Sequence, residues 1–275
     1  MSKKICRNPA NLIPLLLLSA CEPTLIAEFQ DIPVVEAYLY SDAPASVKIS
    51  KLIPYRNDVT FSDEDVDRLH MEIVDETEDM TYTLLPQGNG LYVDSTLLPK
   101  VGHSYRLRFA YNETEVTALT QVAAAPENVT VSPLSTSVTV WDTTSTGGGF
   151  GGGGMPSMPA NISIEWSNPT GDYYIIVVDN VDENPIAVRD TAAPLSFLVD
   201  LTQDSIAQLS SQQFSYTGRH IVRLCRVQPE YVVMAQANSS SSSEPLIEVH
   251  ANIINGFGIF TGISRYNTDI TVHKN

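Results

Sequence analysis

The stretch Ser104–Tyr111, which reads SYRLRFAY, decides the fold class. Tyr105, Leu107 and Phe109 alternate with the two arginines between them. A period of two places one face of a β-strand in a core and the other face in water, whereas a helix would need a period of 3.6. The stretch therefore predicts a half-buried strand of a sheet that has one solvated face.

Similar short runs surround this strand and are separated by turn residues. The other β-rich runs are Val34–Leu39, Val47 with Ile49, and Leu69 with Met71 and Ile73; the turn segments are Asp42–Pro44, Gly88–Gly90 and Pro99–Gly102. About seven short strands without a long helical period are typical of an immunoglobulin-like sandwich. The sequence predicts one such domain over residues 33–122.

A second β domain is predicted over residues 127–275, after a linker at Ala123–Pro126. Ile162–Trp166 and Tyr173–Val178, with a turn between them, resemble the centre of a fibronectin type III module. Gly147–Gly154, seven glycines around a phenylalanine, is expected to be a loop because glycine loses the most entropy on ordering. The fold class is thus all-β, with two immunoglobulin/fibronectin-like sandwiches in tandem.

At most one or two short helices are expected, both in the second domain. Thr202–Ser210 is predicted to be a helix with Thr202 as its cap and Ile206 and Leu209 on its buried side. Pro229–Ala237 fits a helix that begins at the proline, but its β-branched residues also fit a strand. Asn255–Gly256 is predicted to be a turn within the final strands.

The N-terminus has the layout of an export signal. Three cations within the first seven residues precede the apolar run Leu12–Leu18, and Ser19-Ala20-Cys21 follows. The run is much shorter than the roughly 20 residues that span a bilayer. Leu18–Cys21 resembles the lipobox of bacterial lipoproteins, which implies a signal peptide at 1–20, lipid on Cys21 and a lipidated tether at 21–32. Two or three acyl chains would make a lasting anchor.

Charge and cysteine content exclude several classes of protein. The formal charge is −16, and cleavage before Cys21 leaves 13 basic residues against 32 acidic ones, a charge of −19. Such a chain repels phosphate backbones, so nucleic-acid binding is not expected. Cys6 leaves with the signal and Cys21 is acylated, so Cys225 has no intramolecular disulfide partner. Its apolar surroundings favour a buried small hydrophobe over a nucleophile.

Two acidic clusters are the candidate calcium sites. Asp63, Asp65 and Asp67 have the alternation of a calcium loop, but Arg68 and Val74 stand where that loop needs Gly and Glu. A second cluster follows at a predicted hairpin turn and contains Asp75, Glu76, Glu78 and Asp79. Solvated loop charge is the favoured interpretation of both clusters, with calcium as the alternative.

No other pattern indicates catalysis, a metal or a cofactor. The five histidines, at positions 70, 103, 220, 250 and 273, lack metal-ligand spacing. The glycine stretch lacks the Gly-Lys-Ser/Thr ending of a phosphate loop, and a Gly-x-Ser-x-Gly elbow is missing from the sequence. Carboxylate pairs meet only in the fold, so glycoside cleavage stays open. We expect a protein that is not an enzyme.

Three segments carry a family resemblance: Asn252–Phe260, Pro33–Ala37 and Gly102-x-x-Tyr105-x-Leu107. With the lipobox, they resemble domain-of-unknown-function family 4249, outer-membrane lipoproteins of Bacteroidota often encoded beside TonB-dependent receptors. The resemblance implies an anchor in the cell outer membrane and an accessory or ligand-capturing role with such a receptor. It indicates neither the ligand nor the membrane face. A structural or adhesive surface lipoprotein is the alternative, and an enzyme comes third.

Overall fold

Sixteen β-strands and one α-helix occur in the residues that the computed structural model describes, which are 31–51, 66–138, 160–188, 193–239 and 251–275. The strands are β1 (Pro33–Tyr40), β2 (Ala45–Lys51), β3 (Met71–Asp75), β4 (Met80–Gly88), β5 (Leu91–Asp94), β6 (Ser104–Tyr111), β7 (Thr114–Gln121), β8 (Glu127–Ser132), β9 (Ser135–Val138), β10 (Ile162–Ser167), β11 (Tyr173–Asn180), β12 (Ser196–Thr202), β13 (Ile206–Leu209), β14 (Gly218–Val227), β15 (Ile253–Ile254) and β16 (Phe257–Lys274). Helix α1 is Pro229–Ser239, and Ser211–Gln213 is a 3-10 turn. These elements belong to one compact unit, Asp31–Asn275.

The first sandwich has two layers joined by one bent strand. One layer has the order β16-β1-β2-β5-β4, and the other has the order β4-β3-β6-β7-β15. Strand β4 pairs with β3 through Met80–Leu84 and with β5 from Leu85 onward, so it passes from one layer to the other. Alternate residues of each strand fill the space between the layers.

Strand β6 confirms the alternation that its sequence predicts. Tyr105, Leu107 and Phe109 are at most 3% exposed and lie in the core. On the opposite face Arg106 and Arg108 form ion pairs with glutamates, at 2.5 and 2.7 Å. One face of this strand is therefore apolar and the other is charged.

The second sandwich packs a three-stranded layer on a layer of five strands. The first has the order β13-β10-β8, and the second has the order β12-β11-β14-β16, with β9 parallel to the end of β16. Ile162, Ile164 and Trp166 of β10 face Tyr174 and Ile176 of β11 across this core. The predicted fold class, two β-sandwiches in tandem, is confirmed.

Strand β16 belongs to both sandwiches. Its 18 residues pair in parallel with β1 over Phe257–Ile263 and antiparallel with β14 over Ser264–Val272. The predicted ranges 33–122 and 127–275 assigned all of β16 to the second sandwich. In the structure, the first half of β16 hydrogen-bonds to β1 of the first sandwich. A strand of this length extends about 56 Å at about 3.3 Å per residue.

The two predicted helical segments have opposite outcomes. The helix predicted at Thr202–Ser210 is wrong, because Ile206–Leu209 is strand β13 and pairs with β10. A helix would bury Ile206 and Leu209 on one side, but a strand turns residues three apart to opposite faces. Accordingly Leu209 is 0% exposed and Ile206 is 49% exposed. The segment from Pro229 is a helix, as one of its two interpretations predicts.

A small apolar seam lies where the sandwiches meet. It contains Ile175, Cys225, Val227, Val232 and Ile263, and half-buried tyrosines pack against it. Helix α1 supplies Val232, and the helix lies against β16. None of the helices in the described ranges combines the length and apolar character needed to cross a bilayer.

Candidate functional site

Asp31, two residues before β1, is held by three other side chains, and we call this arrangement the Asp31 clamp. The Asp31 carboxylate accepts hydrogen bonds from the Tyr111 hydroxyl at 2.7 Å and the Asn112 amide at 3.1 Å. The Lys51 ammonium lies 3.9 Å from the same carboxylate. Burial and the Asp31 charge raise the pKa of Tyr111 to about 12, which keeps its proton on the hydrogen bond. Cys21 lies outside the described residues, ten positions before this clamp.

A cavity of about 360 Å³ lies beside the clamp and is open to solvent. Asp31, Tyr111, Asn112 and the Asn255–Gly256 turn line it. The Asp31 carboxylate and the Tyr111 hydroxyl in its wall already bond to each other. We do not assign it a ligand.

The first acidic cluster is only partly within the described residues. Asp63 and Asp65 lie outside them. The carboxylate of Asp67 accepts hydrogen bonds from the backbone N–H groups of Asn89 and Gly90. Asp67 therefore fixes the turn between β4 and β5, which is a structural role.

The second acidic cluster lies in the β3–β4 turn, and one member departs from the expectation of solvated charge. Asp75 is 1% exposed. Its Oδ1 accepts hydrogen bonds from the backbone N–H groups of Thr77 and Glu78, and its Oδ2 lies 2.7 Å from Nδ1 of His103. Burial alone would raise the pKa of Asp75, but these hydrogen bonds outweigh it and lower the pKa. Glu76 and Glu78 are exposed, as expected.

Asp75, Glu78 and His103 form a group that sequence spacing does not reveal. Their ligand atoms lie within 4.8 Å of one another. The Lys100 ammonium donates to both oxygens of Glu78, at 2.6 and 2.8 Å, and so supplies a positive charge at this group. The arrangement holds the turn with an ion pair and a buried carboxylate, so we assign neither a metal nor an acid–base role to it.

The remaining histidines and the free cysteine have separate environments. His70 and His273 are exposed, His220 is 3% exposed, and His250 lies outside the described residues. Cys225 is 3% exposed, and burial raises the pKa of its thiol to about 12. The prediction that Cys225 is a buried small hydrophobe is confirmed.

The strongest candidate for ligand contact is a groove on the outer face of the first sandwich, which we call the tyrosine groove. It is open, has a volume of about 240 Å³, and is lined by six residues: Glu36, Tyr38, Tyr40, Ser46, Lys48 and Leu91. The first three alternate along β1 opposite Val35, Ala37 and Leu39, which are at most 1% exposed. One face of β1 therefore builds the core and the other presents tyrosines to solvent.

Contacts from the seam hold the tyrosines in place. The Tyr231 ring of α1 meets the Tyr38 ring edge-on, with centroids 6.5 Å apart. The Arg265 guanidinium lies 4.4 Å from the centre of the Tyr40 ring. Arg265 is itself fixed by Asp42, with hydrogen bonds of 2.8 and 2.9 Å. Packing of this kind limits the rotamers of both tyrosines before a ligand arrives.

Burial also keeps the tyrosine hydroxyls protonated. It raises the pKa of Tyr38 to about 12, with smaller contributions from Glu36 and Tyr231. Burial raises the pKa of Tyr40 as well, although the Arg265 charge opposes the shift. At neutral pH each hydroxyl is therefore a hydrogen-bond donor as well as an acceptor.

Comparisons with known proteins return fold likeness alone. Neither a family model nor a curated protein matches the chain. A two-domain fibronectin type III segment of chicken tenascin matches with 12% identity and a TM-score of 0.23, covering 88% of this chain and 99% of that one. The FN1–FN3 domains of chicken CNTN1 match with 11% identity and the same TM-score, covering 89% and 65%. Because a TM-score of 0.23 is low, the assignment of the fold class rests on the strand order of the sheets described above.

Proposed function

We propose that this chain is an outer-membrane lipoprotein, anchored through Cys21, that acts as a non-enzymatic accessory or ligand-capturing partner of a TonB-dependent transporter. The observation that carries the proposal is the Asp31 clamp. It ties the chain to the base of the first sandwich ten residues after the lipobox cysteine. Ten extended residues reach at most about 35 Å, so the anchor would hold the sandwiches close to the membrane surface.

The non-enzymatic part of the proposal is supported by how the polar groups are used. His103 and Asp75 make the one close histidine–carboxylate pair among the described residues. In that pair Oδ2 of Asp75 contacts His103, and Oδ1 is engaged by backbone N–H groups of the β3–β4 turn. Within the described ranges, His103 has no hydrogen bond to a hydroxyl or thiol that could act as a nucleophile. The tyrosine groove offers stacking and hydrogen-bonding groups, which suit binding.

Lipidation is tested by labelling cells with a fatty-acid analogue. We expect label in the wild type and in Cys225→Ala, and none in Cys21→Ala. The Cys225→Ala variant is the matched control because it removes the buried thiol of the mature chain and leaves the lipobox intact. Equal labelling of all three proteins would contradict the anchor.

Partnership is tested by cross-linking in intact cells, followed by affinity purification of the full-length lipidated protein from native membranes. A TonB-dependent β-barrel should co-purify with the wild type and be lost with Cys21→Ala, since an unanchored chain diffuses away from the membrane. Recovery of the lipidated protein without any barrel would refute the partnership. Protease treatment of intact cells would then report which membrane face the sandwiches occupy.

A structural or adhesive role is the second candidate, and strand β16 favours it. A strand of 18 residues that belongs to both sandwiches resists bending between them and suits a rigid surface projection. Ordered arrays on the cell surface, found together with the absence of a co-purified barrel, would support this second role over the first.

A further inference from the structure

We propose that the tyrosine groove binds a neutral carbohydrate, with a sugar ring lying against Tyr38 and its hydroxyls bonded to the polar rim. This inference names the ligand class for the capturing role proposed above and so rests on that role. Three properties of the groove support the inference. They are the direction from which a ligand can approach β1, the aromatic floor formed by Tyr38 and Tyr40, and the charge of the polar rim formed by Glu36, Ser46 and Lys48.

The approach to β1 is limited to its outer face. Strand β1 is an interior strand that lies between β16 and β2. It pairs with β16 over Val34–Tyr40 and with β2 over Pro33–Glu36. An extended peptide cannot add to it as an extra strand, which is the usual way in which peptides bind the edges of sheets. A ligand must instead lie across the side chains on the outer face.

The aromatic floor of the groove suits a sugar ring. Tyr38 and Tyr40 are two positions apart on one face of β1, so their side chains follow one another along a strip. Each presents an apolar ring and a hydroxyl at its tip. A sugar ring matches that pattern, with C–H groups on its faces and hydroxyls around its edge. Among the described residues the hydroxyls of Tyr38 and Tyr231 have no hydrogen-bond partner, so they are available to a ligand.

The rim of the groove is balanced in charge. Glu36 is exposed and lies opposite Lys48 in the β1–β2 register, so the two formal charges cancel. The Lys48 ammonium donates to the backbone carbonyl of Asn89, which holds it at the wall of the groove. Among the described residues its other two N–H groups have no hydrogen-bond acceptor. Ser46 adds a hydroxyl. A balanced rim on a chain of net charge −16 suits a neutral ligand and disfavours a polyanion.

The test uses the full-length lipidated protein in lipid nanodiscs, because many common detergents carry sugar headgroups. Isothermal titration is carried out with four neutral probes (maltohexaose, cellohexaose, xylohexaose and mannohexaose) and with an anionic galacturonate hexamer. We expect at least one neutral hexaose to bind and the anionic hexamer to bind more weakly. Failure of all four neutral probes to bind the wild type at roughly 10 mM would overturn the proposal.

Variants then locate the binding. Tyr38→Ala should weaken the affinity about tenfold or more, and Tyr38→Phe only a few-fold, because it keeps the ring. Tyr266→Ala is the matched control: it removes a tyrosine that is 39% exposed and lies outside the groove, and binding should not change. If Tyr38→Ala disturbs the seam, as its melting temperature would show, the exposed Glu36→Gln replaces it and should weaken binding several-fold.

The outcomes separate this inference from the proposed function. Wild-type affinity in both Tyr38→Ala and Glu36→Gln would refute the groove as the sugar site. A barrel that co-purifies while no hexaose binds refutes the ligand class alone. A hexaose that binds at Tyr38 while no barrel co-purifies refutes the transporter partnership alone.

Discussion

Replacing Gly258 with alanine tests how β16 is built into the first sandwich. Gly258 has a φ of +96°, and a Cβ there would overlap the carbonyl oxygen of Val35 and lie 2.9 Å from its carbonyl carbon. The φ alone costs about 1–2 kcal/mol for a residue with a Cβ. Forcing β1 and β16 apart adds about 1–3 kcal/mol. The free energy of unfolding should therefore fall by about 2–5 kcal/mol, a large part of the roughly 5–15 kcal/mol of a typical domain.

Two other glycines separate these costs. Gly88 has a φ of +91°, and a Cβ added there would meet no atom within 4 Å, so Gly88→Ala should show the conformational cost alone, about 1–2 kcal/mol. Gly262 has no left-handed φ, but its Cβ would lie 2.6 Å from the Gln121 carbonyl oxygen, so Gly262→Ala should show the steric cost alone. Urea unfolding measures all three variants. A Gly258→Ala loss no larger than that of Gly88→Ala would refute the close packing of β16 on β1.

Three further predictions concern buried titratable groups. The Nε2 atom of His220 accepts a hydrogen bond from the Asn180 amide, and burial lowers the pKa of this imidazole. The free energy of unfolding of the wild type should therefore fall as the pH drops below about 6.5, and His220→Gln should lose this dependence in urea unfolding. An unchanged pH profile in the variant would refute the prediction. Because the pKa of Asp75 is lowered, its contribution to the free energy of unfolding is complete above about pH 4 and is lost on further acidification. Asp75→Asn should therefore be less stable than the wild type at pH 7 and should lose less stability on acidification. Equal acid sensitivity of the two proteins would contradict the His103–Asp75 contact. Cys225 should resist a disulfide reagent at pH 8 when folded and react when unfolded in urea, whereas rapid reaction of the folded protein would contradict its burial.

Period-two alternation made part of the fold predictable from the sequence. In β6 and β1 buried residues alternate with residues that are exposed or half-buried, as the alternation in their sequences predicts. The turn at Asn255–Gly256 was also accessible, since Asn255 has a φ of +61° that asparagine tolerates well. These signals are local, so neighbouring residues are enough to reveal them.

The continuity of β16 was not accessible in this way. Phe257–Ser264 is buried at every position, because one face meets the first core and the other meets α1 and the seam. A strand covered on both faces has no alternation, so its sequence does not show where one strand ends and another begins. The identity of its partners depends on contacts with β1, more than 200 positions away in the chain.

The tyrosine groove was hidden for a related reason. Tyr38 and Tyr40 can be assigned to one face of β1 from alternation, but Lys48, Leu91 and Tyr231 reach them only through the fold. Aromatic residues two apart on the polar face of a strand are the one local signal that could have marked the site. That signal is weak, because exposed aromatic residues are common on sheets.

The shared strand gives the groove a dependence on both sandwiches. Arg265, which lies over the Tyr40 ring, is two residues beyond the segment of β16 that pairs with β1, and it is opposite Cys225 of β14. Tyr231, which meets Tyr38, comes from α1, directly after β14. The first sandwich thus supplies the floor of the groove, while the second supplies the residues that fix its rings. A change that loosens β16, such as Gly258→Ala, should therefore weaken ligand binding at the groove without altering any residue that lines it.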